Sequence, residues 1–171
     1  LIHRIDRDTS GILMIAKKKQ ILTRLSKDFK EHIKIKKTYR VLALGRFSRK
    51  SWTITKKLLR IEDAKNQNKI QVSERGQTAI SHYKVLREYT LKTKEGDQII
   101  SDVEVEIETG RMHQIRVHLM SLGNPILGDS KYGNKSFNHY ISREYWFNRQ
   151  ALHALQIEFM HYGRNKKMSL R

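Results

Sequence analysis

The positions of apolar residues along the first half of the chain predict short strands around one helix. Gly11–Lys17 is a short apolar run, typical of a buried strand, and Thr38–Leu44 is a second one that ends at Gly45. Residues 20–33 have helical spacing instead, with an apolar face formed by Leu22, Leu25, Phe29 and Ile33. Residues 60–76 are polar and end at a glycine, which predicts a mobile excursion between regular elements.

The second half of the chain shows the alternation of half-exposed strands in Ala79–Leu86 and Ser101–Thr109. In the latter, one predicted face carries Val103, Val105 and Ile107, and the other carries Glu104, Glu106 and Glu108. Residues 112–122 predict a helix that stops at Gly123, with an inner stripe of Met112, Ile115, Leu119 and Leu122. Ala154–Met160 predicts a last strand. Mixed strands and few helices favour the α+β class.

Length and composition fit one domain over residues 1–171, since 38% of the residues are hydrophobic and no repeat or linker interrupts the chain. The chain begins at Leu1 without an initiator Met or a signal segment, so we expect a trimmed fragment, with any upstream domain outside this chain. The sequence has no run of 18 apolar residues, so it predicts no membrane span. The absence of cysteine excludes disulfides, Cys-rich zinc sites and thiol nucleophiles, and it suits the cytoplasm.

The charge is large and unevenly distributed. The formal net charge is +18, and residues 1–60 hold 18 of the 35 Lys and Arg residues but only 4 of the 17 acidic residues. Such a density attracts polyanions, and the runs Lys17–Lys19 and Lys34–Lys37 are the expected phosphate contacts. A Lys-rich solvated surface is the alternative. An anionic membrane is disfavoured because no separate amphipathic anchor accompanies the basic runs.

Two clusters concentrate polar functional groups at the ends of predicted strands. The first spans His3–Gly11 and precedes an apolar run, and the second spans Gly110–His118 and leads into a predicted helix. Loops at strand ends commonly carry active groups on a rigid scaffold. A purely structural interpretation is open for each cluster: a turn whose acids pair with its arginines, or a solvated helix start.

Motifs for metals, nucleotides and serine nucleophiles are absent from the sequence. His113 and His118 are five positions apart, which does not place them on one helical face, and no zinc pattern accompanies them. The sequence has no phosphate-binding glycine loop, and Ser10 before Gly11 is not a nucleophile elbow. We therefore predict no metal and no cofactor, and the remaining chemistry is that of carboxylates, phenols and cations.

The two clusters resemble the signatures of a known family. HRIDRDTSGILMIAK and GRMHQIRVHLMSLGNPILGDSKYG are similar to the two signatures of the RluA-type pseudouridine synthases. KKTYRVLALG resembles the family's tyrosine-bearing strand, and RQALHALQIEFMH resembles its late strand. The matches run in the family order from Leu1 to about His161. The segment LLR…SERGQTAISHYKVLREY is most similar to members that act on large-subunit ribosomal RNA.

This resemblance implies an isomerase that converts uridines of structured RNA into pseudouridine. The implied fold is a central mixed, mostly antiparallel sheet with flanking helices and a catalytic cleft across it. The expected substrate is 23S ribosomal RNA, with transfer RNA as the alternative. We expect no cofactor, no required protein partner, no membrane association, a monomer and a cytoplasmic location.

The family's functional residues carry over to matching positions of this chain. Asp6 matches the nucleophile, Tyr39 the tyrosine beside the target base and suspected proton acceptor, and Arg116 the cation that pairs with the nucleophile. Arg4 matches the arginine that enters the space left by the flipped base. Further RNA contacts are expected from Arg7, Thr9, Lys17, Lys18, Lys19, Arg111, His113 and Gln114. Ile5, Met112 and Tyr162 stand where the family usually has Leu, Thr or Ser, and Pro.

The chemistry of the proposed reaction agrees with these roles. A carboxylate can attack the sugar or the pyrimidine and divide one difficult step into easier ones. Because burial disfavours an ionised carboxylate, a fixed cation is needed beside it. A non-catalytic RNA-binding descendant of such an enzyme would need none of Asp6, Tyr39 and Arg116. A phosphoryl or glycosyl transferase of small substrates is disfavoured by the charge and by the missing phosphate loop.

Overall fold

The computed structural model describes residues 1–31, 35–62, 68–94, 96–164 and 166–171. In these ranges, eight strands form one sheet and three helices pack against it. The strands are β1 (Ser10–Gly11), β2 (Lys36–Leu44), β3 (Ser51–Glu62), β4 (Asn68–Val72), β5 (Gln77–Leu91), β6 (Gln98–Ile107), β7 (Leu152–His161) and β8 (Lys166–Leu170). The helices are α1 (Lys19–Glu31), α2 (Gln114–Met120) and α3 (Lys135–Tyr145).

The strand order across the sheet is β1-β7-β2-β6-β5-β3-β4, and β8 also pairs with β7. Only the short β1–β7 pair is parallel among the pairings of the described residues; every other ladder is antiparallel. The α+β class and the mixed, mostly antiparallel sheet with flanking helices are therefore confirmed.

Strand β2 runs through the middle of the sheet, and its alternation distributes side chains to the two faces. Val41 faces the main core with Val103 and Val105 of β6, where α2 adds Ile115 and Leu119. This confirms the predicted buried face of residues 101–109. Helix α1 covers the same face near β7 through its apolar stripe, and α3 packs on the opposite face near the ends of β2 and β6.

The predicted strand over Gly11–Lys17 is wrong for most of its length, because β1 ends at Gly11. The side chains still alternate, with Met14 buried and Ile15 69% exposed. The physical reason lies at the edge of β7. Strand β8 pairs with Ile157–His161, so it occupies the edge that the continuation of β1 would need.

The polar segment over residues 60–76 is also more regular than predicted. Strand β3 continues to Glu62, and β4 returns along it to form an antiparallel pair; residues 63–67 lie outside the described residues. Strand β4 is an edge strand in which only Ile70 is buried, so its sequence is mostly polar. Strands β3 and β8 and helix α3 were not predicted at all.

The two predicted helices are present with shorter bounds. Helix α1 begins at Lys19, and the predicted apolar position Ile33 lies outside the described residues. In α2, Ile115 and Leu119 are buried as predicted, but Leu122 follows the helix and is 37% exposed. No helix in the described part of the chain is both long and apolar enough to cross a membrane.

Candidate active site

A cleft of about 450 Å³ lies on the face of the sheet that α1 and α2 cover. Its walls are the loop before β1, helix α1 and the start of α2, and its floor is formed by β2 and its neighbours. Both sequence clusters line it, although they are more than 100 positions apart in the chain. The fold therefore brings together the two segments that carry the candidate chemistry.

The loop that carries Asp6 makes a tight turn. The Thr9 amide donates to the Asp6 carbonyl at 3.1 Å, and Asp8 adopts a left-handed conformation with φ of 68°. Gly11 then passes so close to β7 that a Cβ atom there would lie 2.2 Å from the Ala154 carbonyl oxygen. Only glycine fits this approach, so the Ser10-Gly11 end of the cluster anchors the loop to the sheet.

The segment before β7 holds this turn from outside. The Gln150 side chain is buried and donates to the Thr9 hydroxyl at 2.6 Å and to the Arg7 carbonyl at 3.1 Å. Arg149 donates to the Ser10 hydroxyl at 3.1 Å, and this hydroxyl lies 2.8 Å from Nδ1 of His153. The predicted RNA contact Thr9 thus lines the cleft but also serves as the attachment point of its own loop.

Arg116 connects the two clusters through its guanidinium. Nη1 donates to Oδ2 of Asp6 at 3.4 Å, while Nε and Nη2 donate to the two oxygens of Asp129 at 2.7 and 2.8 Å. Asp129 is fully buried and also accepts from the backbone amides of Lys131 and Tyr132. The bidentate pair fixes the plane of the guanidinium, so its remaining nitrogen presents a positive charge to Asp6.

This arrangement shifts the pKa values of both Asp129 and Arg116 toward the charged forms. Burial by itself raises the pKa of Asp129, but the hydrogen bonds from Arg116 and the Tyr132 amide outweigh it, and the pKa lies below its usual range. For Arg116, burial opposes the charged form, yet the contacts with Asp129 and Asp6 raise its pKa. Both groups are therefore ionised throughout the neutral range.

His113 occupies the residue before α2 with a left-handed φ of 55°. Its Nδ1 lies 2.8 Å from the Tyr132 hydroxyl, and its Nε2 lies 4.0 Å from Oδ2 of Asp6. Burial lowers the pKa of His113 more than Asp6 raises it. The imidazole is therefore neutral near pH 7, and it is placed at the cleft wall as a polar but uncharged group.

Tyr39 extends from β2 into the cleft, on the face that also carries Val41. A register shift between β2 and β7 occurs between Thr38 and Tyr39, directly under the site. Such irregularities re-aim side chains next to functional sites. Burial, with a contribution from the nearby Asp6 carboxylate, raises the pKa of Tyr39 to about 12, so the hydroxyl keeps its proton at neutral pH.

The basic run at the start of β2 is divided between the two faces of the sheet. Lys36 is exposed and pairs with Glu106 at 2.7 Å on the face away from the cleft. Lys37 is only 7% exposed and lines the cleft, and Lys34 lies outside the described residues. The predicted phosphate contact by Lys34–Lys37 therefore does not fit Lys37, whose side chain is mostly buried along the cleft rather than presented on the outer surface.

The other predicted RNA contacts fall into three groups. Arg4 and Arg111 are exposed at the cleft rim, where a bound nucleic acid could reach them. Arg7 and the run Lys17, Lys18 and Lys19 are exposed but do not line the cleft.

Gln114 forms the third group, because its side chain is buried and fully hydrogen-bonded within the protein. Its oxygen accepts from Thr109 and the Arg111 amide, and its nitrogen donates to Ile80 and Ser81. No hydrogen-bonding group of Gln114 remains for RNA, which counts against its predicted contact. The side chain instead attaches the start of α2 to β5.

Three residues with structural importance at the site did not emerge as candidates from the sequence: Asp129, Tyr132 and Gln150. The first two lie within the GDSKYG end of the second signature, and Gln150 lies in RQALHA, so their motifs were noted but not their roles. Asp129 could have been identified from the sequence, because it is an acidic residue in the same signature as Arg116. Tyr132 connects Arg116, His113 and β4, since its hydroxyl accepts from the Ile70 amide at 2.8 Å.

Comparisons with known proteins show the family of this chain. The sequence profile of the RNA pseudouridylate synthase family matches residues 1–121. The chain is 41% identical over 168 residues to ribosomal large subunit pseudouridine synthase C of Buchnera aphidicola subsp. Baizongia pistaciae, covering 98% of the chain and 50% of the relative. It is 34% identical to the protein of that name from Vibrio cholerae, covering 99% and 50%. The chain thus spans about half the length of the curated relatives it matches.

A solved structure is similar over nearly the whole chain. Human RNA pseudouridylate synthase domain containing 1 superposes with a TM-score of 0.82 at 27% identity, covering 99% of this chain and 67% of that one. Human RNA pseudouridylate synthase domain containing 4 gives a TM-score of 0.74 at 23% identity, which shows a shared fold. The fold that the resemblance implied is confirmed.

Proposed function

The chain belongs to the RNA pseudouridylate synthase family, and from that premise we propose that it isomerises uridines of structured RNA to pseudouridine with Asp6 as the nucleophile. The observation that carries the proposal is the Asp6–Arg116–Asp129 arrangement, in which Asp6 and Arg116 line the cleft and Asp129 holds Arg116 from behind. An RNA-binding surface alone needs no carboxylate, and such a group would repel phosphates. A carboxylate held beside a fixed guanidinium is what nucleophilic attack on a nucleotide requires.

The first half of the reaction breaks the bond between the ribose and the base. An Asp6 oxygen bonds to C1′ of the ribose, and the C1′–N1 electron pair leaves with the uracil ring. Arg116 keeps a positive charge beside the carboxylate, and because Asp129 holds its guanidinium, this charge does not move during the step. The detached uracil then turns within the cleft.

The second half forms the carbon–carbon bond. C5 of the uracil attacks C1′, the bond from Asp6 to C1′ breaks, and the carboxylate is regenerated. C5 then loses its proton while N1 gains one, so the product is an isomer of the substrate. Because Tyr39 remains a phenol at neutral pH, it can take the C5 proton only by releasing its own proton in the same step, with the freed Asp6 carboxylate as acceptor.

Access to a base inside folded RNA requires that it be flipped out of the stack. Arg4, exposed at the cleft rim, is the proposed side chain that fills the vacated space. The basic surface of the first 60 residues supplies the phosphate contacts. Large-subunit ribosomal RNA is the proposed substrate, since curated relatives at 34–41% identity carry that name, and this substrate implies a cytoplasmic location.

The test is direct. The purified protein is incubated with unmodified transcripts of bacterial 23S ribosomal RNA and transfer RNA, and pseudouridines are mapped at single-nucleotide resolution. We expect specific sites in the ribosomal transcript and none when Asp6→Asn replaces the wild type. RNA affinity of Asp6→Asn should be nearly unchanged, since it arises from many phosphate contacts. Turnover by Asp6→Asn within tenfold of wild type would refute the assignment, and binding without turnover by the wild type would indicate a non-catalytic RNA-binding domain.

A further inference from the structure

Building on the proposed function, we propose that the Lys37 ammonium is a second catalytic cation, which donates a hydrogen bond to a carbonyl oxygen of the flipped uracil. It stabilises the negative charge that reaches this oxygen when Asp6 attacks. The proposal assigns a role to a buried charge for which the phosphate-contact interpretation leaves none. It starts from the position of Lys37 on β2, two residues before Tyr39 and on the same face of the strand.

Apolar side chains pack around the stem of Lys37, and the His3 imidazole lies close enough that burial and the charge of Lys37 together lower the pKa of His3. The direct neighbours of Lys37 across the sheet are Ile107 on β6 and Ile157 on β7, and its Nζ lies 6.0 Å from the centre of the Phe29 ring on α1. Within the ranges that the structure describes, no carboxylate lies within 4.0 Å of Nζ and no side-chain hydrogen bond is made to it. This Nζ keeps some contact with the solvent of the cleft, because His118 Nε2 is the only side-chain polar atom in the described ranges that is both fully buried and without a partner. Unpaired buried charges are costly, so a charge kept there is a mark of function.

The cleft offers Lys37 one acid and several cations. Asp6 is the only carboxylate among the described residues of the lining, and Arg116 already engages it. The other charged or titratable groups that line the cleft are His3, Arg4, Lys30, Tyr39, Arg111 and His113. None of these can neutralise an ammonium near pH 7. The missing partner of Lys37 is therefore an electron-rich oxygen that a ligand brings.

A uracil oxygen fits this site better than a phosphate does. An apolar wall with one donor suits the flat edge of a base, whereas a phosphodiester requires several donors and exposed cations. Two residues along a strand span about 7 Å, so a base beside Tyr39 extends toward Lys37. The chemistry also creates the charge there. When the electron pair of the C1′–N1 bond leaves with the ring, its negative charge delocalises onto O2. When a carboxylate adds to C6 instead, the negative charge reaches O4.

Burial lowers the pKa of Lys37 to about 8, which gives the proposal a measurable signature. The amine is mostly protonated at pH 7 and brings a positive charge to the uracil oxygen, but it loses this charge as the pH rises above 8. A buried Lys whose role was to accept the C5 proton would show the opposite trend, since it would gain activity as it deprotonates.

The experiment compares wild type with Lys37→Met, which keeps the length of the apolar stem and removes the charge. Lys36→Met is the matched control, because its side chain is next in sequence but lies on the opposite face. Single sites of the ribosomal transcript are followed from pH 6.5 to 9.5, and kcat, KM and kcat/KM are measured. Ratios of wild type to variant cancel the ionisation of the RNA itself.

We expect the ratio of kcat/KM for wild type over Lys37→Met to be on the order of 10² at pH 7, as for loss of one oxyanion donor, and to reside mainly in kcat. It should fall toward 1 as pH rises above about 8, while the ratio for Lys36→Met stays near 1 throughout. A Lys37→Met ratio near 1 at all pH values would overturn the proposal. So would a ratio that rises through pH 8, which indicates a base, or a loss confined to KM, which indicates a phosphate contact. If the wild type forms no pseudouridine, the proposed function fails as well, so the two failures are distinguishable.

Discussion

The two sides of the cleft each bury one cation, and they treat it in opposite ways. Beside α2, the Arg116 side chain is 8% exposed and is held by Asp129 and Asp6. Beside α1, Lys37 is 7% exposed and is surrounded by Ile107, Ile157 and Phe29, without a carboxylate partner among the described residues. The two side chains are equally buried, but only the charge of Arg116 has a carboxylate partner among the described residues.

The difference separates two uses of a buried charge. A guanidinium held bidentately is rigid, is always charged and does not respond to pH, so it suits a permanent partner for Asp6, the proposed nucleophile. An uncompensated ammonium destabilises the folded protein and titrates near neutrality, so it suits a group that is completed only by substrate. Stability and function are aligned at Arg116 and opposed at Lys37, and each prediction below tests this contrast.

The largest effect is expected from Asp129→Ala. It leaves Arg116 without its main partner, and stranding a buried charge costs about 3–5 kcal/mol in the free energy of unfolding. Isomerisation should also fall steeply, because the guanidinium is no longer oriented toward Asp6. Chemical denaturation and single-turnover rates are the measurements.

Asp102→Ala is the matched control for this change. Asp102 also binds an arginine through two hydrogen bonds, but its partner Arg40 lies on the opposite face and is 38% exposed. We expect a loss of roughly 1 kcal/mol or less and no change in chemistry. Equal losses for Asp129→Ala and Asp102→Ala would contradict the contrast. Because the folded pKa of Asp129 is lowered, its stabilisation is lost as pH falls below about 4, so the Asp129→Ala deficit should shrink in acid.

The second-largest expected effect is a gain in the free energy of unfolding. Lys37→Met should raise the free energy of unfolding at pH 7 by roughly 2–4 kcal/mol, since it removes a charge whose pKa falls from about 10.5 to about 8 on burial. The folded state disfavours the protonated amine, so wild-type stability rises between about pH 8 and pH 10.5. The advantage of Lys37→Met should therefore disappear over this range. A variant that is less stable than wild type at pH 7 would show that Lys37 has a compensating partner in the free protein.

The third prediction concerns Tyr39, which lines the same cleft as the two cations. Tyr39→Phe keeps the ring and removes the hydroxyl, and loss of a proton-transfer group should slow the step by roughly 10²-fold. An isotope effect should then appear with 5-deuterated uridine in a single-turnover assay. Full activity without an isotope effect would leave Tyr39 as a packing residue. The wild type should show no gain from tyrosinate below pH 10, because the pKa of Tyr39 is about 12.

The smallest effect concerns exposed cations, as a reference for the buried pair. Replacing Lys17, Lys18 and Lys19 with Gln should flatten the slope of log affinity against log salt by up to about three units, with little change in the chemical step. Arg4→Ala should behave in the opposite way, with a nearly unchanged slope but slower entry of the base into the cleft. Filter-binding titrations at several salt concentrations measure the slope. An unchanged slope in the triple variant would mean that this run is a solvated surface.

Local sequence patterns were enough to predict the helices and strands that have one apolar, buried face and one polar, exposed face. The alternation in residues 101–109 specified its buried face, and the helical spacing after residue 19 specified α1, because hydrophobic periodicity directly reflects a two-sided environment. The alternation along β2 likewise predicts that Lys36 and Lys37 lie on opposite faces of the sheet. A count of charges obscured this separation, and the two lysines were predicted as one basic run.

The edges of the sheet were not predictable in this way. The apolar run after Gly11 has the composition of a strand, yet β8 takes the edge of β7 that it would need. The polar residues of β4 do form a strand, because β3 supplies a ladder whatever their composition. Strand formation depends on an available partner, and a partner distant in sequence leaves no local signal.

By itself, the sequence determined which chemistry is available: the carboxylate, phenol and guanidinium of Asp6, Tyr39 and Arg116, the basic surface, and the family they resemble. Only the tertiary structure decided how each charge is used. Whether a lysine is a surface cation or a buried donor, and whether a glutamine contacts ligand or attaches a helix, depends on what lies across the sheet from it. Burial and partners set the free energy of a charge, and residues far apart in the chain supply both.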